Sequence, residues 1–424
     1  LEFEGMIANL GVRLDYLDPS GTWYSYTDPY NLAFSGTYSG GIDTLIAQVR
    51  TKKQVDISPR LGISFPISEN SKLYFNYGHM RSLPVPDNLF LYRLDLFTHS
   101  LLRMSDPNMP APKTIAYELG YEHNLFDMFL VRVAGYYKDV INEPYPVTYI
   151  SNDGSIAYST TTPNLYRDIR GFEATIEKKR GDWIQGFVNY TYDVRTNGHF
   201  GYSTYYQNAT QQRSFEQANP TVNQPIPQPY ARANIYFFTP PELGPSVGPL
   251  SLLGDWRLDL IANWQSGFYF TWAGGGGSSI PGVQNNVQWK DYYDLDIRIS
   301  KNFKIAKLNL QFYMDIYNVL NLKYMSQDGF VLGSDFDAYM KSLHLPAFPA
   351  SYNTQLGYNN IPGNDRPGDY RTVPYEPYDP NDPSPSHKQY VLDNKAYIVM
   401  PNQTTFAFLN PAQYFFGLRL SYDI

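Results

Sequence analysis

Apolar and polar side chains alternate along much of this chain, in runs separated by turn-forming residues. The last run shows it plainly: Phe416, Leu418, Leu420, Tyr422 and Ile424 fall on one face, and Gly417, Arg419, Ser421 and Asp423 on the other. A β-strand sends successive side chains to opposite sides, so a period of two predicts a strand with one apolar and one polar face. Val55, Ile57, Leu61, Ile63, Phe65 and Ile67 alternate likewise with Asp56, Ser58, Arg60, Gly62 and Ser64. Trp256, Leu258, Leu260, Ala262 and Trp264 oppose Arg257, Asp259, Asn263 and Gln265. Read this way, the chain holds twelve predicted strands: Met6 to Tyr16, Val55 to Ile67, Leu73 to Arg81, Ile115 to His123, Met128 to Asp139, Ile169 to Lys178, Trp183 to Val194, Ala231 to Phe238, Trp256 to Gly267, Tyr293 to Lys301, Leu308 to Tyr317 and Tyr414 to Ile424.

The connections fall into two length classes. Ser68 to Ser71, Asn124 to Asp127, Lys179 to Asp182 and Asn302 to Lys307 are tight, with Pro240 to Asp255 the longer member of that set. Asp18 to Lys53, Ser82 to Lys113, Val140 to Asp168, Arg195 to Tyr230, Ala273 to Tyr292 and Asn318 to Gln413 are long. Short turns on one side and long loops on the other describe an outer-membrane β-barrel, with periplasmic turns and extracellular loops. A compact soluble domain has no reason to segregate loop lengths so strictly, and loops this long would count against the strands there. The expected fold class is therefore all-β, a transmembrane antiparallel β-barrel with about 12 strands in this chain.

Composition narrows the choice further. The 424 residues include 39 Tyr, 25 Phe and 6 Trp, an aromatic share of 17% that interfacial girdles would explain. Mean hydropathy is −0.41. No stretch approaches the ~18 apolar residues of a spanning helix, whereas a spanning strand needs only ~9–11 residues, half of them apolar. Net charge is −7 with no Lys/Arg run, which disfavours nucleic acid as a partner. The absence of Cys excludes a disulfide scaffold and thiolate metal sites. Trp256 and Trp264 share one face, and eight residues on a tilted strand span roughly 20 Å of membrane normal. They fit the two edges of an apolar band, or are ordinary sheet tryptophans.

Four stretches together resemble the carboxyl-terminal half of a TonB-dependent outer-membrane receptor, nearest to the SusC-like and Oar-like receptors of Bacteroidetes-type bacteria. They are Gly5 to Tyr16, Val55 to Pro66 followed by Leu73 to Gly78, Gln311 to Asn321, and the terminal strand. Each is degenerate; their order and spacing carry the likeness. The resemblance implies a 22-stranded barrel filled by an amino-terminal plug, of which residues 1–424 would supply the last twelve strands. The plug, the TonB box and the earlier strands are not in this sequence. The chain opens at Leu1 without a leader, so it reads as a fragment or as lacking its front part. The resemblance further implies outer-membrane lipids and a TonB complex as partners, the latter through the missing amino-terminal part, and allows a SusD-like surface lipoprotein.

The expected function is energised uptake of a large or scarce nutrient (glycan, peptide or metal chelate) across the outer membrane of a Gram-negative bacterium. The alternatives are a complete twelve-stranded passive channel, or a receptor-like barrel serving as a surface anchor for other proteins. No Ser/His pair can be nominated at the mouth, so catalysis is not expected. The six His are scattered, and no cofactor or metal centre is expected. Asp379-Pro380-Asn381-Asp382 has the residue types of a surface Ca²⁺ site but lacks the glycine of an EF-hand loop. Gly274 to Gly277 does not join a strand to a helix, so it reads as a flexible loop rather than a phosphate cradle.

Charges facing lipid cost a few kcal/mol, so Asp56, Arg60, Glu118, Arg132, Glu173, Glu177, Arg257, Asp259, Asp294, Asp296, Arg298, Asp315 and Arg419 are assigned to a lumen-facing polar wall. The Asn302 to Lys307 turn is expected to set Arg298 near Gln311, Asp296 near Tyr313 and Asp294 near Asp315. Tyr202, Tyr205, Tyr206, Trp272, Trp289, Tyr370, Tyr375 and Tyr378 fall in long loops. Such side chains stack on sugar rings or peptide groups and hydrogen-bond; they also hold loops folded against one another. The last loop carries an expected short helix, Ser334 to Leu345, before its Pro-rich run. Phe416, Gly417, Leu418, Leu420, Tyr422 and Ile424 are expected to form the strand that assembly machinery reads.

Overall fold

The computed structural model describes the chain apart from residues 1, 4, 26, 220, 248–249, 275–282, 306, 326–329, 331–332, 347–359, 361, 369–410 and 423–424. Tyr370, Tyr375, Tyr378, Ile424 and the Asp379–Asp382 stretch lie outside the described residues.

The long strands are β1 (Met6–Leu17), β2 (Gln54–Ser68), β3 (Ser71–Arg81), β4 (Lys113–Leu125), β5 (Phe129–Ile150) and β6 (Ala157–Lys178). They continue as β7 (Ile184–His199), β8 (Tyr230–Phe238), β9 (Trp256–Gln265), β10 (Tyr292–Ile305), β11 (Leu308–Tyr317) and β12 (Gln413–Tyr422). Every predicted strand is present, and each long strand pairs with its sequence neighbour. The α-helices among the described residues are α1 (Pro86–Phe90), α2 (Ala209–Ala218) and α3 (Gly333–Ser342), the last in the place expected for it.

Two expectations need correction. β5 and β6 run for 22 residues each, so the long loop expected from Val140 to Asp168 contracts to a tight connection around residues 151–156. At ~3.3 Å per residue such strands reach roughly 70 Å, far beyond the ~9–11 residues that cross a bilayer. Their outer parts carry buried residues on both apolar and polar positions, Val147 and Tyr158 beside Thr160 and Thr161, so no simple apolar alternation marks them. Arg167 and Glu143 form a two-point ion pair there, with one bond of 2.7 Å from Nε. The second correction concerns the Asn302 to Lys307 turn. β10 continues to Ile305 and β11 starts at Leu308, which leaves a two-residue connection.

The chain divides into two compact units. The first comprises Leu1–Glu122, Val133–Phe172 and Asp193–Pro227; the second comprises His123–Arg132, Glu173–Tyr192 and Gln228–Ile424. In each, the buried apolar clusters lie among the long connections, joined by the start of β6 in the first unit and by α3 in the second. The first unit packs Phe34, Ile42, Ile46, Leu101, Met104, Ile156 and Tyr158 together. The second packs Trp272, Val287, Met325, Tyr339, Met340, Leu343 and Leu345. The apolar faces of the strands are exposed instead: Leu10, Val12 and Leu14 of β1, Val55 and Ile57 of β2, and Phe416, Leu418 and Leu420 of β12. Val12 is 74% and Phe416 76% accessible. A water-soluble domain would bury such rows first, because apolar area removed from water is its main driving force. Here water is not the medium these faces are built for.

Candidate functional site

The polar face of the second unit is a ladder of charges set by strand register. Asp259 of β9 stands opposite Arg298 of β10, and Arg298 opposite Asp315 of β11. Arg298 donates Nε to Asp315 Oδ1 at 2.5 Å and Nη2 to Oδ2 at 2.7 Å, a forked arrangement that suits guanidinium and carboxylate. Arg257 donates Nε to Asp259 Oδ1 at 2.6 Å and lies 4.7 Å from the centre of the Tyr236 ring. Asp259 and Asp315 are both buried, so each carboxylate depends on its arginine to offset lost hydration. Ser300, Gln311, Tyr313 and Arg419 complete the concave patch around these pairs.

The expected partners of that wall differ from the observed ones. Arg298 meets Asp315 rather than Gln311; Gln311 stands between Asn302 and Arg419; Tyr313 stands between Ser300 and Gly417. The tighter turn slides the β10–β11 register by four residues. An even slide leaves every side chain on its own face, so the wall assignment survives while the pairs change. Asp294 stands opposite Asn263, and Asp296 accepts the Asn318 backbone N–H at 2.8 Å. Tyr313 covers Gly417 so closely that a Cβ there would lie 2.1 Å from the ring.

The first unit has a comparable face. Asp56 pairs with Arg81 at 2.7 Å, and its register partner is Asp15, itself paired with Arg13 at 2.7 Å. Two carboxylates directly opposed on neighbouring strands repel, and the two arginines offset that. Arg60 lies between Gly11 and Gly78, and with Asn9, Asn76, Glu118 and Lys138 it borders an open concavity. Arg13, Asp15 and Arg81 were not assigned to the wall from sequence, although Arg13 and Asp15 alternate with Val12, Leu14 and Tyr16. Tyr74 was also missed; its ring covers Gly120, whose added Cβ would lie 2.2 Å away.

The loop aromatics are mostly engaged with one another. Tyr205 stacks on Tyr149 at 5.5 Å, its hydroxyl accepts the Tyr202 N–H, and its carbonyl accepts the Tyr30 hydroxyl. Tyr206 packs on Phe215 of α2 at 5.8 Å, and its N–H is held by Gln212. All three stay half-buried rather than closed off. Trp272 and Trp289 are interior residues: Trp289 is fully buried, stacks on Phe268 at 5.4 Å and donates to the Met325 carbonyl at 2.8 Å. Tyr324, beside Tyr292 and Asp291, has its phenol pushed up by burial first and by those neighbours second. Among the described residues no group of three or more His, Cys, Asp or Glu is placed to hold a metal.

Sequence comparison agrees with this reading. Residues 1–319 match the family model described as "TonB dependent receptor-like, beta-barrel". That match covers most of the chain, and the chain belongs to this family of outer-membrane receptors, which are not enzymes. Curated proteins contain no match. Among solved structures, the FrpB iron transporter of Neisseria meningitidis is similar at 14% identity and a TM-score of 0.41, over 64% of this chain and 36% of that one. The ferric-catecholate import receptor Fiu of E. coli K12 gives 16% and 0.40, over 76% and 39%. The siderophore receptor PiuA of Acinetobacter baumannii gives 14% and 0.44, over 76% and 38%. The chain thus spans well under half the length of these receptors.

Proposed function

We propose that this chain is the carboxyl-terminal part of the barrel of a TonB-dependent receptor, twelve strands of twenty-two, that imports a large or scarce nutrient. The observation that carries the reading is the segregation of the two sheet faces. One face is uncovered and apolar, as lipid requires; the other carries charges, among them the Asp56–Arg81, Arg257–Asp259 and Arg298–Asp315 pairs. A wall of paired charges suits a lumen that must be polar without gripping a passing solute. Energy would come from a TonB complex acting through a plug upstream of Leu1. The long loops, each packed around its own core, suit an ordered docking rim for substrate, with Tyr202, Tyr205 and Tyr206 the accessible aromatics. We place the receptor in the SusC-like branch, where a SusD-like lipoprotein would close over those loops. A glycan or peptide suits their aromatic lining better than a small ion does.

Deleting the gene in its host and following uptake of labelled nutrients tests this. Loss of high-affinity uptake in the deletion strain, and equally in wild-type cells treated with a proton uncoupler, supports the proposal. Uptake that persists under the uncoupler identifies a passive channel. A deletion with no uptake defect and loss of a surface protein identifies an anchor.

A further inference from the structure

The connection between β8 and β9 is the exception among the short turns, and it is built unlike a water-facing one. It folds back on itself through the Ser246–Ser251 and Val247–Leu250 pairs and then presents Leu252 and Leu253, which are 50% and 52% accessible. Beneath those side chains, every backbone carbonyl from Ser251 to Asp255 accepts a hydrogen bond from the protein. Lys301 Nζ donates to Ser251 O at 2.8 Å and also to Gly254 O. Trp256 Nε1 donates to Leu252 O at 2.9 Å, Thr239 Oγ1 to Leu253 O at 2.7 Å, and the Asn302 N–H to Asp255 O at 3.2 Å. The N–H groups of Leu252, Gly254 and Asp255 are bonded to Pro245 O, Ser251 Oγ and Thr239 O. A surface turn in water has no need of this, because solvent serves its polar groups. Hydrocarbon offers no such partners, so a segment entering it must satisfy its backbone internally.

Lys301 is the unexpected part. It lies on the apolar face of β10, between Ile299 and Phe303, yet it is only 4% exposed because the connection covers it. Its ammonium sits 5.8 Å from the Trp256 ring centre and 5.2 Å from that of Phe303. A lysine on a lipid-facing strand is costly unless its charge is capped, and here the Ser251 and Gly254 carbonyls cap it. Next to it, Trp183, Ile184, Phe237, Trp256, Leu258 and Ile299 border an apolar groove continuous with the exposed apolar face of the strands. The occupant of that face is the bilayer, by membership of an outer-membrane family.

We infer that the Ser251–Asp255 part of this connection is a membrane-seated element, with Leu252 and Leu253 inserted into the phospholipid leaflet on the short-turn side and Lys301 holding it there. The inference rests on the membrane seat and not on nutrient uptake, so the two can fail separately. Residues 1–424 contain no Cys, so once any cysteine elsewhere in the full receptor is replaced by Ser, a single introduced Cys carries a unique spin label. The full receptor with Leu252→Cys or Leu253→Cys, reconstituted in phosphatidylethanolamine–phosphatidylglycerol vesicles, is compared with Glu242→Cys on the same connection and Val12→Cys on a strand. The expected result is collision with oxygen dominating over collision with a water-soluble nickel chelate at 252, 253 and 12, and the reverse at 242. Chelate-dominated relaxation at both 252 and 253, with 12 still oxygen-dominated, overturns the inference. In Lys301→Met, the label at 253 is expected to move at least several-fold toward the chelate while the label at 12 does not. An unchanged ratio at 253 overturns the assignment of Lys301 as the positioning residue.

Discussion

Arg298 and Asp315 face each other across neighbouring strands and are joined by two bonds of 2.5 and 2.7 Å. The pair ties the polar wall together at its middle: Asp315 is almost wholly buried, while the Arg298 side chain keeps about half its surface in solvent. Arg298→Gln leaves a buried carboxylate without its cation and is expected to lower stability by about 1–3 kcal/mol, less than for a fully buried pair. Arg298→Gln combined with Asp315→Asn should recover more than half of that loss. Thermal unfolding of the detergent-solubilised receptor, read as loss of the compact band on unheated gels, checks both.

Tyr313 over Gly417 makes a second, purely steric prediction. A valine at 417 would force the ring off its seat, at a cost of about 1–3 kcal/mol. Tyr313→Ala should be milder, and the combination of the two should be less destabilised than Gly417→Val alone. A double-mutant cycle by the same gel assay decides the matter.

Face assignment can be tested by charge. Val12→Arg, on the exposed apolar row of β1, should cost about 2–4 kcal/mol if it lies near the bilayer centre. Asn9→Arg, on the polar row, should change stability by a small fraction of that. Equal effects at the two positions would contradict a lipid-facing row.

Asp153, in the tight connection between β5 and β6, predicts a pH effect far from the membrane. Ser151 Oγ, Ser155 N–H and Ser155 Oγ all donate to its Oδ1, which holds its carboxyl down to about 2. A lowered pKa adds stability above the unfolded value of 3.8 and loses it as pH falls toward 2. Local amide protection around residues 151–156 should therefore fall across that window, and Asp153→Asn should abolish the dependence. Hydrogen exchange measured at several acidic pH values reads this directly.

Trp289 is fully buried among loop residues. Trp289→Ala should cost about 3–5 kcal/mol of local stability. The loss should be confined to the connections around residues 266–292 and 318–345, with the strands unaffected. Protease nicking of those loops while the heat-resistant band persists is the expected signature.

Much of the architecture could be read from alternation. Leu418, Leu420 and Tyr422 against Arg419 and Ser421 specify a strand and name its two faces without reference to any partner. The terminal residue Ile424 lies outside the described chain, but the strand that precedes it is where the pattern put it. The loop contacts were not legible, because they join positions remote in sequence. Phe34 packs on Tyr158, and Trp289 bonds Met325, with no local spacing to announce either.

Alternation dictates how many strands cross and which side chains turn toward lipid, because pleating imposes a period of two on any strand wherever it lies. Folding decides which residues meet. A turn shorter by a few residues moved Arg298 from Gln311 to Asp315 without moving either to the other face. Folding likewise brought Lys301 under the carbonyls of Ser251 and Gly254, a contact about fifty residues apart in the chain. Side-chain direction is a local property of the backbone, whereas pairing depends on register and on chain returning from a distance.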